Sequence, residues 1–390
     1  MFFFDSNFEW SFFFKQIDTK KKSKAKILIV VNEELSLESL IIIKNLTYCS
    51  RGIMKIRSIS NQDFENKTYD NYFKNKISAI EKLSRFYFLL STNIRLESAI
   101  LNVKIRAKYL ARNISILSLG LNSSSSLTTE YINLNASEIL AFIEGKSTKL
   151  SKILIAFQNP FFLFGPSFKN RFAKSSKLVS HLKNLMPTSL FFVLEENCNS
   201  SGASLMSVKS FNNKDLQNSE ILISINLKEN LFAKAIKPSK VTESFWFNFY
   251  VSETALKYDI MLPVSNNYET GGTFLNLESR PQKAMKLDTE FQSLRSIKSV
   301  FKAIKNEALS SASFLRYIKE IAENAKYFND LENKFTRFCN KLDYNLIIRV
   351  DSYPSKASIE DYYTKDSYCK KSLIMTRRSQ ETRSLFTNFL

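Results

Sequence analysis

Apolar residues fall in short unbroken runs: KILIVV (26–31), FYFLLS (86–91), ISILSLG (114–120), KILIAF (152–157), SLFFVLEE (189–196), EILISIN (220–226), FWFNFYV (245–251) and YDIMLPV (258–264). Runs without polar alternation suit strands covered on both faces, as in parallel sheets packed between helices. Between them stand segments with apolar residues three and four apart: LSLESLIIIKNL (35–46), LESAILNVKIRAKYLA (96–111) and ASEILAFIEG (136–145), the last closing on Gly145 as a C-cap. Strand and helix thus alternate from residue 26 to about 265, which predicts an α/β protein with doubly wound, mostly parallel sheets. From 285 to 343 the spacing is helical; 344–390 reads as an extended tail and 1–25 as an N-terminal arm.

Composition narrows the class. A chain of 390 residues, 44% hydrophobic, has material for a sizeable core and is not a disordered tail. Its net charge of +19 raises a nucleic acid or an anionic surface as partner. Lys and Arg are spread along the chain, however, and Phe, Lys, Ile, Asn and Tyr rise together, as codons rich in A and T produce in many organelle genomes. The densest run, KKKSKAK (20–26), reads as a solvated linker in the arm. Cys49, Cys198, Cys339 and Cys369 stand far apart with no C-x-x-C. That excludes a disulfide scaffold and an ordinary zinc or iron–sulfur site built from this chain alone, and thiols fit a reducing compartment. The opening MFFFDSNFEWSFFFKQ is too short to span a bilayer, is broken by Asp5 and Glu9, and resembles neither a secretory signal nor an Arg-rich mitochondrial leader.

The search for chemistry yields no active site. His181, the single histidine, lies in an amphipathic stretch and reads as a surface or boundary residue; one histidine cannot build an H-E-x-x-H zinc site. Neither G-x-G-x-x-G nor G-x-x-x-x-G-K-[ST] occurs. SSGASLM (200–206) lacks the second glycine and the downstream histidine of a nucleophile elbow. The acidic pairs Glu33–Glu34 and Glu195–Glu196 follow strand-like runs, where ligand sites of α/β folds lie, but read as solvated loop acids. Among seven glycines only Gly271 and Gly272 are adjacent, and they read as the tight turn that launches TFLNLES.

Three stretches carry a family resemblance. YDNYFKNKISAIEKLSRFYFLLSTNIRLESAILNVKIRAKYL (69–110) resembles a segment of the large iron–sulfur subunit of respiratory complex I, with Asn71, Tyr72, Asn75, Ile80 and Glu81 in its first part. Thr92, Asn93, Arg95, Glu97, Ala99, Asn102, Ile105 and Arg106 fill its second part. SETALKYDIMLPVSNNYETGGTFLNLESRPQKA (252–284) is similar to a second element, through Ala255, Asp259, Leu262, Pro263, Glu269, Gly272, Thr273, Asn276, Glu278, Arg280 and Gln282. IEDYYTKDSYCKKSLIM (359–375) is similar to a third through Tyr363, Asp366, Ser372 and Met375, a tail typical of the mitochondrial and related bacterial versions.

The resemblance implies a molybdopterin oxidoreductase-like fold of interleaved α/β subdomains over 26–284, one over about 66–150 and the other over 26–65 plus 151–284. It implies no catalytic, cofactor-binding or metal residue in this chain. Ser91 stands where the family has a strand-end glycine, Ile94 where it has proline, and Ser279 where it has glycine in the E-G-R element. The cluster-bearing N-terminal domains of the family have no counterpart here, so the iron–sulfur clusters are expected on a partner half encoded separately. The implied role is a non-catalytic structural subunit on the matrix side of the mitochondrial inner-membrane complex. It would touch that half and other matrix-arm subunits, bind no nucleic acid, and meet the membrane only through the complex. The alternatives are an active molybdopterin oxidoreductase and a basic RNA-binding component of an organellar ribosome.

Overall fold

The computed structural model describes residues 6–50, 52–59, 85–111, 114–120, 130–132, 159–171, 179, 182, 186, 189–195, 197–206, 208–227, 241–251, 255–278, 280–286, 294–305, 363, 369 and 372–387. The chain divides into unit 1 (Met1–Tyr72 and Asn197–Lys341) and unit 2 (Phe73–Glu196 and Leu342–Leu390).

Unit 1 is built on β1 (Ile27–Val31), β2 (Met54–Ser58), β8 (Lys209–Ser210), β9 (Ile221–Ile225), β10 (Glu243–Asn248) and β11 (Ile260–Pro263). They lie in the order β11-β10-β9-β1-β2-β8, all parallel, with Ile27 opposite both Met54 and Ile221. The unbroken ILIVV of β1 divides by pleat. Ile27, Ile29 and Val31 enter one core, while Leu28 and Val30 enter another with Leu222 and Trp246. Burial on both faces is why no polar alternation appears in the sequence.

The first core holds α1 (Ser6–Lys22), α2 (Leu37–Cys49) and, beyond the sheet, α9 (Ile297–Lys305). The arm expected over 1–25 is therefore corrected: Trp10, Phe13 and Ile17, at i, i+3 and i+7, are fully buried on one helix face. The Phe13 ring lies 5.0 Å from those of both Phe245 and Phe247. Lys20, Lys21 and Lys22 of the lysine-rich run form the last turn of this helix, where positive charge suits the C-terminal dipole, and Lys21 Nζ donates to Ile304 O at 3.1 Å.

Unit 2 carries β3 (Phe86–Leu90), β4 (Ser115–Leu119), β5 (Glu130–Ile132), β6 (Phe161–Phe164) and β7 (Leu190–Val193), again parallel, in the order β5-β4-β3-β6-β7. Phe88, Phe162 and Phe191 stack across β3, β6 and β7 with centroids 5.0 Å apart at each step. Two further expectations are corrected here. β6 pairs with β3 and β7 with β6, so these strands belong with the 66–150 segment and not with 26–65. Apolar runs alone do not say which of two similar sheets a strand joins. The expected extended tail contains a helix, α10 (Leu373–Thr387).

Among the described residues the remaining α-helices are α3 (Ile94–Glu97), α4 (Ala99–Leu110), α5 (Pro166–Arg171), α6 (Ser200–Leu205), α7 (Asn213–Gln217) and α8 (Asn267–Thr270). A hairpin of β12 (Gly272–Leu275) and β13 (Pro281–Ala284) follows α8. Among the described residues no helix is long and apolar enough to cross a membrane.

Asp215 on α7 is paired with two β2 cations, Arg57 Nε at 2.6 Å and Lys55 Nζ at 3.2 Å. Burial alone would raise its carboxyl, but the hydrogen bonds and charges of Arg57 and Lys55 outweigh burial and hold it below the ordinary value of 3.8. A depressed carboxyl contributes stability above its unfolded pKa and loses it as pH falls through the folded one. Asp215→Asn should therefore cost on the order of 1 kcal/mol at neutral pH. In urea titrations the gap from the wild type should close as the pH falls below 3.8.

Candidate functional site

In open parallel sheets a ligand sits beyond the carboxyl ends of the strands, where the strand order reverses. Unit 1 reverses between β1 and β9, and unit 2 between β3 and β6. At each crevice the described residues bond to one another.

At the unit 1 crevice Asn32 and Asn226 follow β1 and β9, and the Asn32 amide donates to Asn226 O at 2.9 Å. Asn226 has φ of 51°, a left-handed conformation that glycine adopts most easily. Glu33 is completely buried and accepts from Ser58 Oγ at 2.6 Å, which corrects its reading as a solvated loop acid. Asn248 Nδ2 and Tyr250 OH each donate to Leu227 O at 3.1 Å.

Unit 2 repeats the device. Ser91, directly after β3, has φ of 49° and is fully buried, and its carbonyl accepts from Ser167 Oγ. Thr92 Oγ1 donates to Glu97 Oε2 at 2.6 Å, and the Asn93 amide nitrogen to the same oxygen at 3.2 Å. Gly165, following β6, lies against this turn: a Cβ there would stand 2.2 Å from Ser91 O and 2.8 Å from Thr92 Cα. The two close approaches are chain to chain.

Among the buried side-chain oxygens without a hydrogen bond are Asn32 Oδ1 and Asn226 Oδ1 directly after β1 and β9, Asn93 Oδ1 just beyond β3, and Asn102 Oδ1 on α4. Each is an acceptor; a water or another N–H or O–H donor suits it, and a phosphate oxygen does not.

The motif residues serve local structure. Asn93 stands at the start of α3 without a side-chain cap bond, and Glu97 closes the loop by accepting from Thr92 Oγ1 and the Asn93 N–H. Arg95 and Arg106 are exposed, and Asn102 is half-buried on α4. Asp259 Oδ2 accepts from the Ser244 amide at 2.8 Å and its hydroxyl at 2.7 Å, tying the loop before β11, which ends at Pro263, to β10. Glu269 completes a capping box with Asn266 at the start of α8. Gly271 and Gly272, at φ of 60° and 145°, end α8 and open the hairpin. A Cβ on Gly272 would come within 2.5 Å of Ser36 Cβ, so glycine is required for the approach to α2.

Thr273 fastens the hairpin to α2, donating from N at 2.9 Å and from Oγ1 at 2.7 Å to Glu38. Asn276 Oδ1 accepts from the amides of Glu278 at 3.0 Å and Arg280 at 2.8 Å, which shapes the turn before β13. Arg280 and Gln282 point to solvent, and Tyr363 is half-buried. Asn71, Tyr72, Asn75, Ile80, Glu81, His181, Ser279, Cys339 and Asp366 lie outside the described residues.

Beside this hairpin an open cleft of about 1060 Å³ is lined by Ser36, Glu269, Gly271, Lys283, Arg295 and Ser296, among others. The Arg295 guanidinium lies 5.4 Å from the Trp10 ring centroid, so this cation is also part of the α1 docking. Deeper in the unit, burial pushes the Tyr258 phenol well above its ordinary range although Ser224 Oγ lies 2.7 Å away; it stays protonated. Among the described residues no group of three or more His, Cys, Asp or Glu could hold a metal ion. Sequence reasoning missed Asn32, Asn226, Ser167 and Gly165; the available signal was their position one residue after, or just beyond, a buried run.

Comparison with known proteins places this architecture. The chain is 25% identical over 349 residues to the NADH-ubiquinone oxidoreductase 75 kDa subunit of Reclinomonas americana, a match covering 82% of this chain and 48% of that one. It thus spans about half the length of that relative. A chain of the formyltransferase/hydrolase complex from Methylorubrum extorquens, solved with methylofuran, superposes with a TM-score of 0.54 at 10% identity, covering 75% of this chain and 95% of that one; this shows the fold alone. The molybdopterin oxidoreductase profile matches residues 10–307, from within α1 to just beyond α9, and the chain belongs to the molybdopterin oxidoreductase family.

Proposed function

We propose that this chain is a non-catalytic structural subunit of the matrix arm of mitochondrial NADH:ubiquinone oxidoreductase, packed against the cluster-bearing half of the large iron–sulfur subunit. The observation that carries this reading is the similarity to the 75 kDa subunit over 82% of the chain. The two crevices support the non-catalytic part. A pterin dinucleotide needs glycine backbone and N–H donors at the strand ends. Ser91 and Asn226 put side chains there, on left-handed backbone that glycine adopts most easily. Side chains at these points stand against the close approach of a pyrophosphate, and no chemical step is assigned to this chain. Its role is to hold and cover a neighbouring electron path.

The test is native-gel separation of mitochondrial membranes with in-gel NADH staining, peptide identification and metal analysis of the active band. Peptides of this chain are expected in that band, without molybdenum or tungsten in proportion to it. Recovery of the chain only outside the active band would overturn the assignment. One molybdenum or tungsten per chain would overturn the non-catalytic reading.

A further inference from the structure

Helix α1 is fastened to α9 at both ends. Near its start the guanidinium of Arg295, just before α9, lies 5.4 Å from the Trp10 ring centroid and 5.8 Å from that of Phe14. Near its end Lys21 Nζ donates at 3.1 Å to Ile304 O, in the last turn of α9, where a cation suits the helix dipole. The two ties stand roughly 14 Å apart along either helix, so α1 and α9 are joined running in the same direction.

Between the ties lies an aromatic floor. Phe13 rests 5.0 Å from both Phe245 and Phe247, Trp10 lies 5.6 Å from Phe247, and Phe247 faces Phe301 of α9 at 6.3 Å. Strand β1 is held to β2 and β9 by backbone ladders, whereas side chains hold α1 to β10 and α9. The helix has little strength of its own, since Trp10, Phe12, Phe13, Phe14 and Thr19 are all poor helix formers. Away from its floor it is therefore marginal, and docking keeps it wound. Its partners also lie far along the chain, Ile304 being 283 residues from Lys21. Closing so long a loop is repaid only once β10 and α9 are in place.

We infer that α1 is a strap closed at both ends by α9: it winds on docking, after the rest of unit 1 has formed, and lifts as one piece while the sheet stays folded, uncovering the aromatic floor. Hydrogen exchange of the full chain, read by mass spectrometry, tests this. In the native protein the amides of residues 10–21 should exchange together, at least about tenfold faster than those of β1 and β9. Lys21→Met and Arg295→Gln each remove one tie. Each should speed exchange along the whole of 10–21 by about fivefold or more, including the end whose tie is intact, and leave β1 and β9 unchanged. If the α1 amides of the native protein exchange as slowly as those of β1 and β9, the helix opens only with the whole unit and the inference is overturned. Variants that speed exchange only at their own end overturn it as well, because that is fraying and not release.

Discussion

Phe13→Ala should lower the unfolding free energy by about 3–5 kcal/mol in urea or guanidinium titrations, among the largest losses any single truncation of α1 can cause. The side chain is completely buried and belongs to a ring cluster with Trp10, Phe14, Phe245 and Phe247. Removing it forfeits its transfer from water and leaves a cavity between α1 and β10, which rigid neighbours on a parallel strand cannot close. Lys15→Ala, on the exposed side of the same helix, should change stability by less than about 0.5 kcal/mol. If Phe13→Ala does not fold, Phe13→Leu, which keeps most of the apolar volume, should fold with a loss of roughly 1–2 kcal/mol. A loss below about 0.5 kcal/mol for Phe13→Ala would mean that the helix is not docked in solution.

That same helix shows where sequence reasoning stopped. Positions 10, 13, 14 and 17 have helical spacing, yet the surrounding FFF triplets blur the period, and the run reads as an arm and not as a docked helix. Strands were legible for the opposite reason. ILIVV, FYFLL and ILISI are uniformly apolar because both sheet faces are covered, and the runs at 26–31, 86–91 and 220–226 became β1, β3 and β9. Membership was not legible. Nothing local in FFLF (161–164) tells it to pair with FYFLL (86–90) and not with ILIVV (27–31); the stacking of Phe88, Phe162 and Phe191 decides that only once the strands meet.

The site was legible as motif and not as geometry. The resemblance named Glu269, Gly272, Thr273 and Asn276, and the structure shows what each does: a capping box, a contact with Ser36 that admits no Cβ, a tie to Glu38, and a turn. These roles depend on partners up to 235 residues away, such as Glu38 for Thr273, and spacing within a motif cannot reveal them. Ser91 is the instructive case. Its departure from a family glycine suggested a closed crevice, but its left-handed backbone and its bond from Ser167, 76 residues on, appear only in three dimensions.

Gly165→Ala should be the most costly substitution at the unit 2 crevice, destabilising by about 3 kcal/mol or more. The added carbon would stand 2.2 Å from Ser91 O and 2.8 Å from Thr92 Cα, both backbone atoms, so no side-chain rotation relieves the overlap. Gly165 N also donates to Leu90 O at 2.9 Å, and pushing β6 from β3 would break that bond in a fully buried layer. Gly52→Ala is the matched control: Gly52 has φ of 89° but nothing within 4 Å of a Cβ, so it should lose only the left-handed strain of about 1 kcal/mol. The contrast separates two uses of glycine in this fold. At a cofactor crevice glycine keeps room for a ligand, and alanine would tax binding more than folding. Here the room is already taken by Ser91 and Thr92, so denaturant titration should register the full effect on folding, and a Gly165→Ala protein as stable as Gly52→Ala would show the crevice to be open.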